Sequence, residues 1–190
     1  GPLSICAIEK DGSVECFGSP GSPKALPPVR DLAIGGSSAC ALTKTNEVWC
    51  WGKNDVVQTG VAGPDVRTEA TRVPLKEKVV DIATVGVSTC ARLASGAVSC
   101  WGANALGQLG RGTVTPGVGS PPGPVRLSSA ARALAGGGAF CAATDHAVMC
   151  WGSRLWTSVA AKSITDPAVD GRDFASKPTE VSEFVGASGH

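Results

Sequence analysis

The chain has 190 residues, 43% hydrophobic and 17% charged, with a formal net charge of +1 at neutral pH. That length suits one repeat domain spanning residues 1–190, with enough apolar residues for a core. A charge this close to zero excludes a nucleic-acid partner held by charge, and no apolar run approaches the ~20 residues needed to span a bilayer.

Gly1-Pro2-Leu3 reads as a protease-cleavage remnant of an expression tag, from which an export signal would have been cut away. The first element follows at once: CAIEKDGSVECFG, from Cys6 to Gly18. It recurs as CALTKTNEVWCWG (Cys40–Gly52), CARLASGAVSCWG (Cys90–Gly102) and CAATDHAVMCWG (Cys141–Gly152). All eight cysteines, Cys6, Cys16, Cys40, Cys50, Cys90, Cys100, Cys141 and Cys150, fall in these units, two in each. Within a unit, two β-rich segments flank a turn signal, which is the pattern of a hairpin.

Turn chemistry tests the pairing. If the two cysteines of a unit sit opposite each other across an antiparallel pair, they are close enough to bridge. In the first three units the cysteines are ten positions apart, which closes on three-residue loops: Lys10-Asp11-Gly12, Lys44-Thr45-Asn46 and Ala94-Ser95-Gly96. Such a loop calls for a left-handed third residue, and Gly12, Asn46 and Gly96 are the residue types that tolerate it. In the fourth unit a separation of nine closes on the two-residue loop Asp145-His146. Structural zinc would bring two cysteines within two to four residues of each other or add histidines. The only histidines are His146 and His190, so the spacing favours four disulfides and neither a metal nor a cofactor is assigned. Disulfides imply an oxidising compartment: extracellular, periplasmic or cell-surface.

Between the hairpins the chain reads as repeat. A Pro-Val-type start (Pro28-Val29, Arg72-Val73, Pro124-Val125) is followed by an apolar strand, then a glycine four residues before the first cysteine (Gly36, Gly86, Gly137). The interval between the first cysteines of units one and two is 34 residues, against 50 and 51 later, so the first blade should lack a strand or a long loop. Thr113–Pro124 and Asp166–Lys177, rich in turn formers, are expected as surface loops. Lys177–His190 reads as another repeat start that stops before its hairpin, while Ser4-Ile5-Cys6 begins at one. The two ends thus look like halves of one blade completed by both termini.

In the third unit, Trp101-Gly102-Ala103-Asn104-Ala105-Leu106-Gly107-Gln108-Leu109-Gly110 resembles the WGxNxxGQLG core of the regulator of chromosome condensation (RCC1) repeat. The second unit keeps Trp51, Gly52, Asn54, Gln58 and Gly60 but has Val57 for a glycine; the fourth keeps Trp151-Gly152 and the first Phe17-Gly18. The Cys-Ala…Cys-Trp-Gly form is similar to the exported bacterial branch of these repeats. The resemblance implies an all-β fold, a β-propeller or propeller segment of four-stranded blades. Four units fit a small closed ring, a homodimer completing a larger ring, or a segment of a longer array.

Trp51, Trp101, Trp151 and Phe17 share one repeat position, which favours packing between adjacent blades over an aromatic binding ring. Gly18, Gly52, Gly102 and Gly152 are expected in tight turns, with Asn54 and Asn104 bonding local backbone. Function is therefore expected where the repeat breaks, chiefly at Ser153–Ser176. Arg154, Trp156 and the irregular Trp49 are the candidate binding anchors. Asp166, Asp170 and Asp173 do not follow the spacing of a calcium loop. No GxSxG or HExxH motif occurs, and the glycine runs precede strands rather than helices, so no catalytic residue is assigned and the chain is read as a non-enzyme. The expected role is a protein-binding scaffold; a carbohydrate-binding propeller is the alternative, and a guanine-nucleotide exchange factor is disfavoured by the disulfides and the near-neutral charge.

Overall fold

The computed structural model describes residues 5–152 and 175–181, and every regular element among them is a β-strand. The first sheet has two strands, β1 (Ile5–Ile8) and β2 (Val14–Phe17). The second has four: β3 (Val29–Ile34), β4 (Ser38–Thr43), β5 (Val48–Lys53) and β6 (Val66–Arg72). The third repeats this with β7 (Val79–Val85), β8 (Ser88–Leu93), β9 (Val98–Asn104) and β10 (Thr115–Pro124). The fourth contains β11 (Ala133–Gly136), β12 (Phe140–Ala143), β13 (Val148–Gly152) and β14 (Ala175–Val181). Each four-stranded sheet is an antiparallel meander in chain order.

The hairpins form as their spacing predicts. Cys6 faces Cys16, Cys40 faces Cys50, Cys90 faces Cys100 and Cys141 faces Cys150 across their strand pairs. A disulfide closes each pair, with Cα atoms 4.1 Å apart. The third loop residues are left-handed: φ is 93° at Gly12, 65° at Asn46 and 83° at Gly96. In the fourth hairpin the Thr144 N–H donates to Ala147 O at 2.8 Å, enclosing Asp145-His146 as the two-residue turn.

Several boundaries differ from the sequence reading. The first sheet is short of strands, as its interval implied, because residues 18–28 form no outer strand. Pro28-Val29 opens β3, but Arg72-Val73 and Pro124-Val125 close β6 and β10; the three Val-containing steps are not equivalent. Register makes this plain: Arg72 pairs with Trp49, and Pro124 pairs with Ser99. By the same register Glu180 pairs with Met149, so Lys177–Val181 is part of an outer strand rather than a repeat start. Residues 182–190, the rest of that expected start, lie outside the described residues. Thr115–Pro124 is a strand, not a loop. Its glycines and prolines produce register shifts against β9 and leave it mostly exposed, which suits an edge strand. Of the second expected loop, Ala175–Lys177 lies in β14 and 166–174 falls outside the described residues.

The core lies between sheets. Alternate residues of a strand point to opposite faces, so each sheet has one face bearing its disulfide and one bearing its aromatic residue. Cys40, Cys50, Leu42 and Val48 of the second sheet pack with Ile82, Ala91, Leu93 and Trp101 of the third. Cys90, Cys100 and Val98 of the third pack with Leu134, Phe140, Ala142 and Trp151 of the fourth. Val14, with Cys6 and Cys16, packs with Ala39, Ala41 and Trp51. The disulfide face of one unit therefore covers the tryptophan face of the next. First strands also lie side by side, β3 with β7 and β7 with β11. Glycine permits this approach: a Cβ on Gly35 would sit 2.7 Å from Gly86 O.

Gly102 marks the tightest repeated point. Its φ is 99°, and a Cβ there would lie 2.4 Å from Val87 O. Gly52 is held alike, with φ of 100° and a Cβ position 2.5 Å from Ser37 O. Gly102→Ala adds left-handed strain to a backbone clash, and is expected to lower unfolding free energy by about 2 kcal/mol or more. Urea denaturation of the variant beside the native chain checks it.

Candidate interaction surface

The repeat positions that carry the motif are consumed internally. Trp51, Trp101 and Trp151 are fully buried. Each indole N–H donates to a carbonyl of the preceding unit: Trp51 to Gly21 at 2.8 Å, Trp101 to Gln58 at 3.0 Å and Trp151 to Gln108 at 2.9 Å. Phe17, expected to plug a gap in the same way, is 72% exposed; no described residue of another unit covers it.

The asparagines and glutamines build the loops that receive these indoles. Asn54 accepts from Thr59 N–H at 3.1 Å and donates to Val61 and Pro64 carbonyls, which closes the loop after β5. Asn104 repeats this, accepting from Leu109 N–H at 3.1 Å and donating to Thr113 O at 2.9 Å. Gln58 and Gln108 accept from the N–H of Val56 and Leu106. Both asparagines are buried, so the local-backbone role inferred for them holds. Beside the first loop Lys53 pairs with Asp55 at 2.8 Å, and Lys53 with Gln58 holds the Asp55 carboxyl below its ordinary range.

Two arginines clamp this end of the sheets. Arg67 donates to Ala62 O at 2.8 Å, and Arg111 donates to Cys100 O at 2.6 Å and Pro121 O at 2.8 Å. They were not singled out in the sequence because they do not occupy equivalent repeat positions. Trp49, a candidate anchor, lies on β5 between Ala41 and Arg72; it is half-buried, and its indole N–H is enclosed without a partner among the described residues. Arg154 and Trp156, the other candidates, lie outside the described residues, as do Asp166, Asp170 and Asp173.

The opposite end gathers the hairpin turns and the links into the next sheet. Three carbonyls of left-handed turn residues reach across: Gly12 O, Asn46 O and Gly96 O accept from Val29, Val79 and Ala131 N–H at 2.8, 2.9 and 2.8 Å. Arg30 adds a clamp, donating to Asn46 Oδ1 at 3.1 Å and Val80 O at 3.2 Å. Around these turns Arg72 pairs with Glu47 at 2.8 Å, and Arg132 pairs with Asp145. Lys76 and Lys78, on the link from β6 to β7, and Arg126, on the link from β10 to β11, are exposed and have no ion pair among the described residues. Sequence reading passed over these cations because they lie on links between sheets, outside the repeated hairpins. Among the described residues no group of three or more His, Cys, Asp or Glu could hold a metal ion. Nor is there, among the described residues, a helix long and apolar enough to cross a membrane.

Residues 29–56 match the family model of the regulator of chromosome condensation (RCC1) repeat. The fold matches human WBSCR16 with a TM-score of 0.74 at 19% identity, covering 93% of this chain and 49% of that one. It matches yeast RCC1 (Prp20), solved with Kap60 bound, with a TM-score of 0.74 at 17% identity over 96% of this chain and 47% of that one. The CRINKLY ectodomain of the Arabidopsis thaliana receptor kinase ACR4 matches with a TM-score of 0.51 at 24% identity, over 78% of this chain and 48% of that one. The chain thus spans about half the length of the solved structures it matches. Four disulfide-stapled units, three of them four-stranded sheets, with tryptophans locked into the preceding unit, thus have the fold of the RCC1-type propellers, and one of the four matches the RCC1 repeat model.

Proposed function

We propose that this chain is a non-catalytic, exported or cell-surface scaffold that binds a protein partner through the ends of its blades. The supporting observation is the division between what the repeat uses and what it leaves free. Motif tryptophans and asparagines are buried and bonded within the scaffold, while Lys76, Lys78 and Arg126 stand exposed at the turn end. Yeast RCC1 was solved bound to Kap60, and its structure is described with binding to Gsp1p and histones. A protein-binding role accords with that fold, though fold alone assigns no partner. Four intrachain disulfides accord with an oxidising compartment. Sugar stacking has less support, since Trp51, Trp101 and Trp151 offer no exposed ring face.

Capture from an exported-protein fraction, with a glycan array in parallel, tests the reading. A saturable protein partner is expected, bound more weakly at higher salt. The triple variant Lys76→Glu, Lys78→Glu, Arg126→Glu should bind it roughly tenfold more weakly, because charges at an interface rim govern association and its salt dependence. Saturable glycan binding without a protein partner would replace this reading with the carbohydrate one. Unchanged protein binding by the triple variant would remove the turn end as the contact.

A further inference from the structure

Three exposed cations, Arg30, Lys44 and Lys78, surround one hairpin turn of the second sheet, and none forms an ion pair among the described residues. The turn is Lys44-Thr45-Asn46. Arg30 donates to Asn46 Oδ1 at 3.1 Å and to the Val79 and Val80 carbonyls at 3.4 and 3.2 Å, all through Nη2. Lys44 Nζ donates to Asp11 O at 3.5 Å. Lys78 immediately precedes Val79, whose N–H donates to Asn46 O at 2.9 Å. Hydrogen bonds therefore tie all three positions to the same turn, at the seam between the second and third sheets.

The acceptors that hold Arg30 and Lys44 are all neutral. They fix the two charged groups in place and leave the charge uncancelled. Nearby carboxylates are engaged elsewhere: Asp11 with Ser13, Asp31 with Leu32 N–H, Glu47 with Arg72 and Glu77 with Ser95 N–H. The fourth sheet supplies the contrast. Arg132 holds the place of Arg30, three residues before the one that faces the first cysteine (Ala135 facing Cys141, as Ala33 faces Cys40), and there Asp145 neutralises it. The turn beside Arg30 offers the amide of Asn46 instead. Arg30 Nη1 makes no hydrogen bond among the described residues and is free to donate one to an anion. Cations already held in position also spare the side-chain ordering that binding otherwise costs.

We propose that this turn receives an acidic segment of a protein partner, with a carboxylate meeting Arg30 and Lys44 and with Lys78 adding attraction beside them. Charge complementarity names the occupant: fixed cations without a carboxylate of their own favour a partner that brings one. The inference rests on the reading that the turn end is the contact surface, and it gives the chemistry of the partner there.

The test is fluorescence anisotropy of a labelled oligoglutamate peptide titrated with the full chain. Saturable binding that weakens as salt rises is expected. Arg30→Gln and Lys44→Gln should each weaken it roughly tenfold, and Arg132→Gln by less than about twofold, since Asp145 already takes up that charge. A native near-ultraviolet spectrum and no free thiols show that a variant folds; Lys44→Gln carries the test if Arg30→Gln does not fold. Absence of saturable binding would overturn the proposal. So would an equal loss at Arg132, which would mean diffuse attraction to charge. A heparin fragment of equal charge that binds more tightly than oligoglutamate would replace the acidic protein with a sulfated glycan. Capture of a protein partner without oligoglutamate binding would sink this inference and leave the scaffold reading standing; oligoglutamate binding with no protein captured would do the reverse.

Discussion

Replacing Trp101 with alanine is expected to lower the free energy of unfolding by about 3–5 kcal/mol, the range for truncating a large buried aromatic. Trp101 is fully buried among Cys40, Cys50, Leu42 and Val48 of one sheet and Ile82, Ala91 and Leu93 of its own. Its removal leaves a cavity at the seam between blades and strips Gln58 O of its donor, now 3.0 Å away. The loop that receives the indole cannot readily collapse into the space. Gly60 lies against it with φ of 75°, and Asn54 ties that loop from both ends. Trp101→Phe separates the contributions, since it keeps a ring but loses the N–H; a loss of about 1–3 kcal/mol is expected from the orphaned carbonyl and the smaller volume. Phe17→Ala, at the same repeat position but 72% exposed, should change stability by less than about 0.5 kcal/mol. Equilibrium urea unfolding measures all three. Equal losses at Phe17 and Trp101 would mean that the seam is not where the stability lies.

This contrast shows what the sequence could and could not convey. The hairpins were legible to the residue because turn geometry is local. A loop that needs a left-handed third residue announces itself through Gly12, Asn46 and Gly96, and cysteine spacing then sets the rung. The tryptophan position was legible as packing because it repeats. Outer strands were not legible. β10 is written in Gly, Pro, Ser and Thr because it is an exposed edge with a shifting register, so it carries neither apolar alternation nor a turn boundary. Phe17 was misjudged because repeat position fixes which face a side chain occupies, while coverage of that face depends on a neighbouring blade. The same distinction limited the candidate site. Trp49 stood out as an irregular residue, yet its place is half within the sheet. Lys76, Lys78 and Arg126 looked ordinary along the chain, because they lie on links between sheets that the repeated motif does not mark.

Reduction of the four disulfides is expected to unfold the chain at physiological temperature. Each bridge joins residues nine or ten positions apart. Closing so short a loop contributes ~2–3 kcal/mol by restricting the unfolded chain. Four such contributions reach ~10 kcal/mol, the size of the whole stability of an ordinary domain. Packing adds to this: Cys40, Cys50, Cys90 and Cys100 are at most 1% exposed, wedged between their own blade and the next, and Cys40 Sγ lies 3.7 Å from Thr89 Oγ1 across that seam. Burial also sets an order of attack, since exchange requires a thiolate to reach the sulfur. Under mild reductant the half-covered Cys6–Cys16 bridge and the partly exposed Cys141 bridge should open first, with Cys40–Cys50 and Cys90–Cys100 last. Timed alkylation with peptide mass mapping reads the order, and circular dichroism reads the collapse of the fold. If the fully reduced chain kept its melting temperature within a few degrees, the bridges would be incidental to the scaffold. The link from structure to compartment would then fail, because a propeller that stands without its disulfides needs no oxidising surroundings. If it unfolds, the chain can hold its blades together only where thiols stay paired.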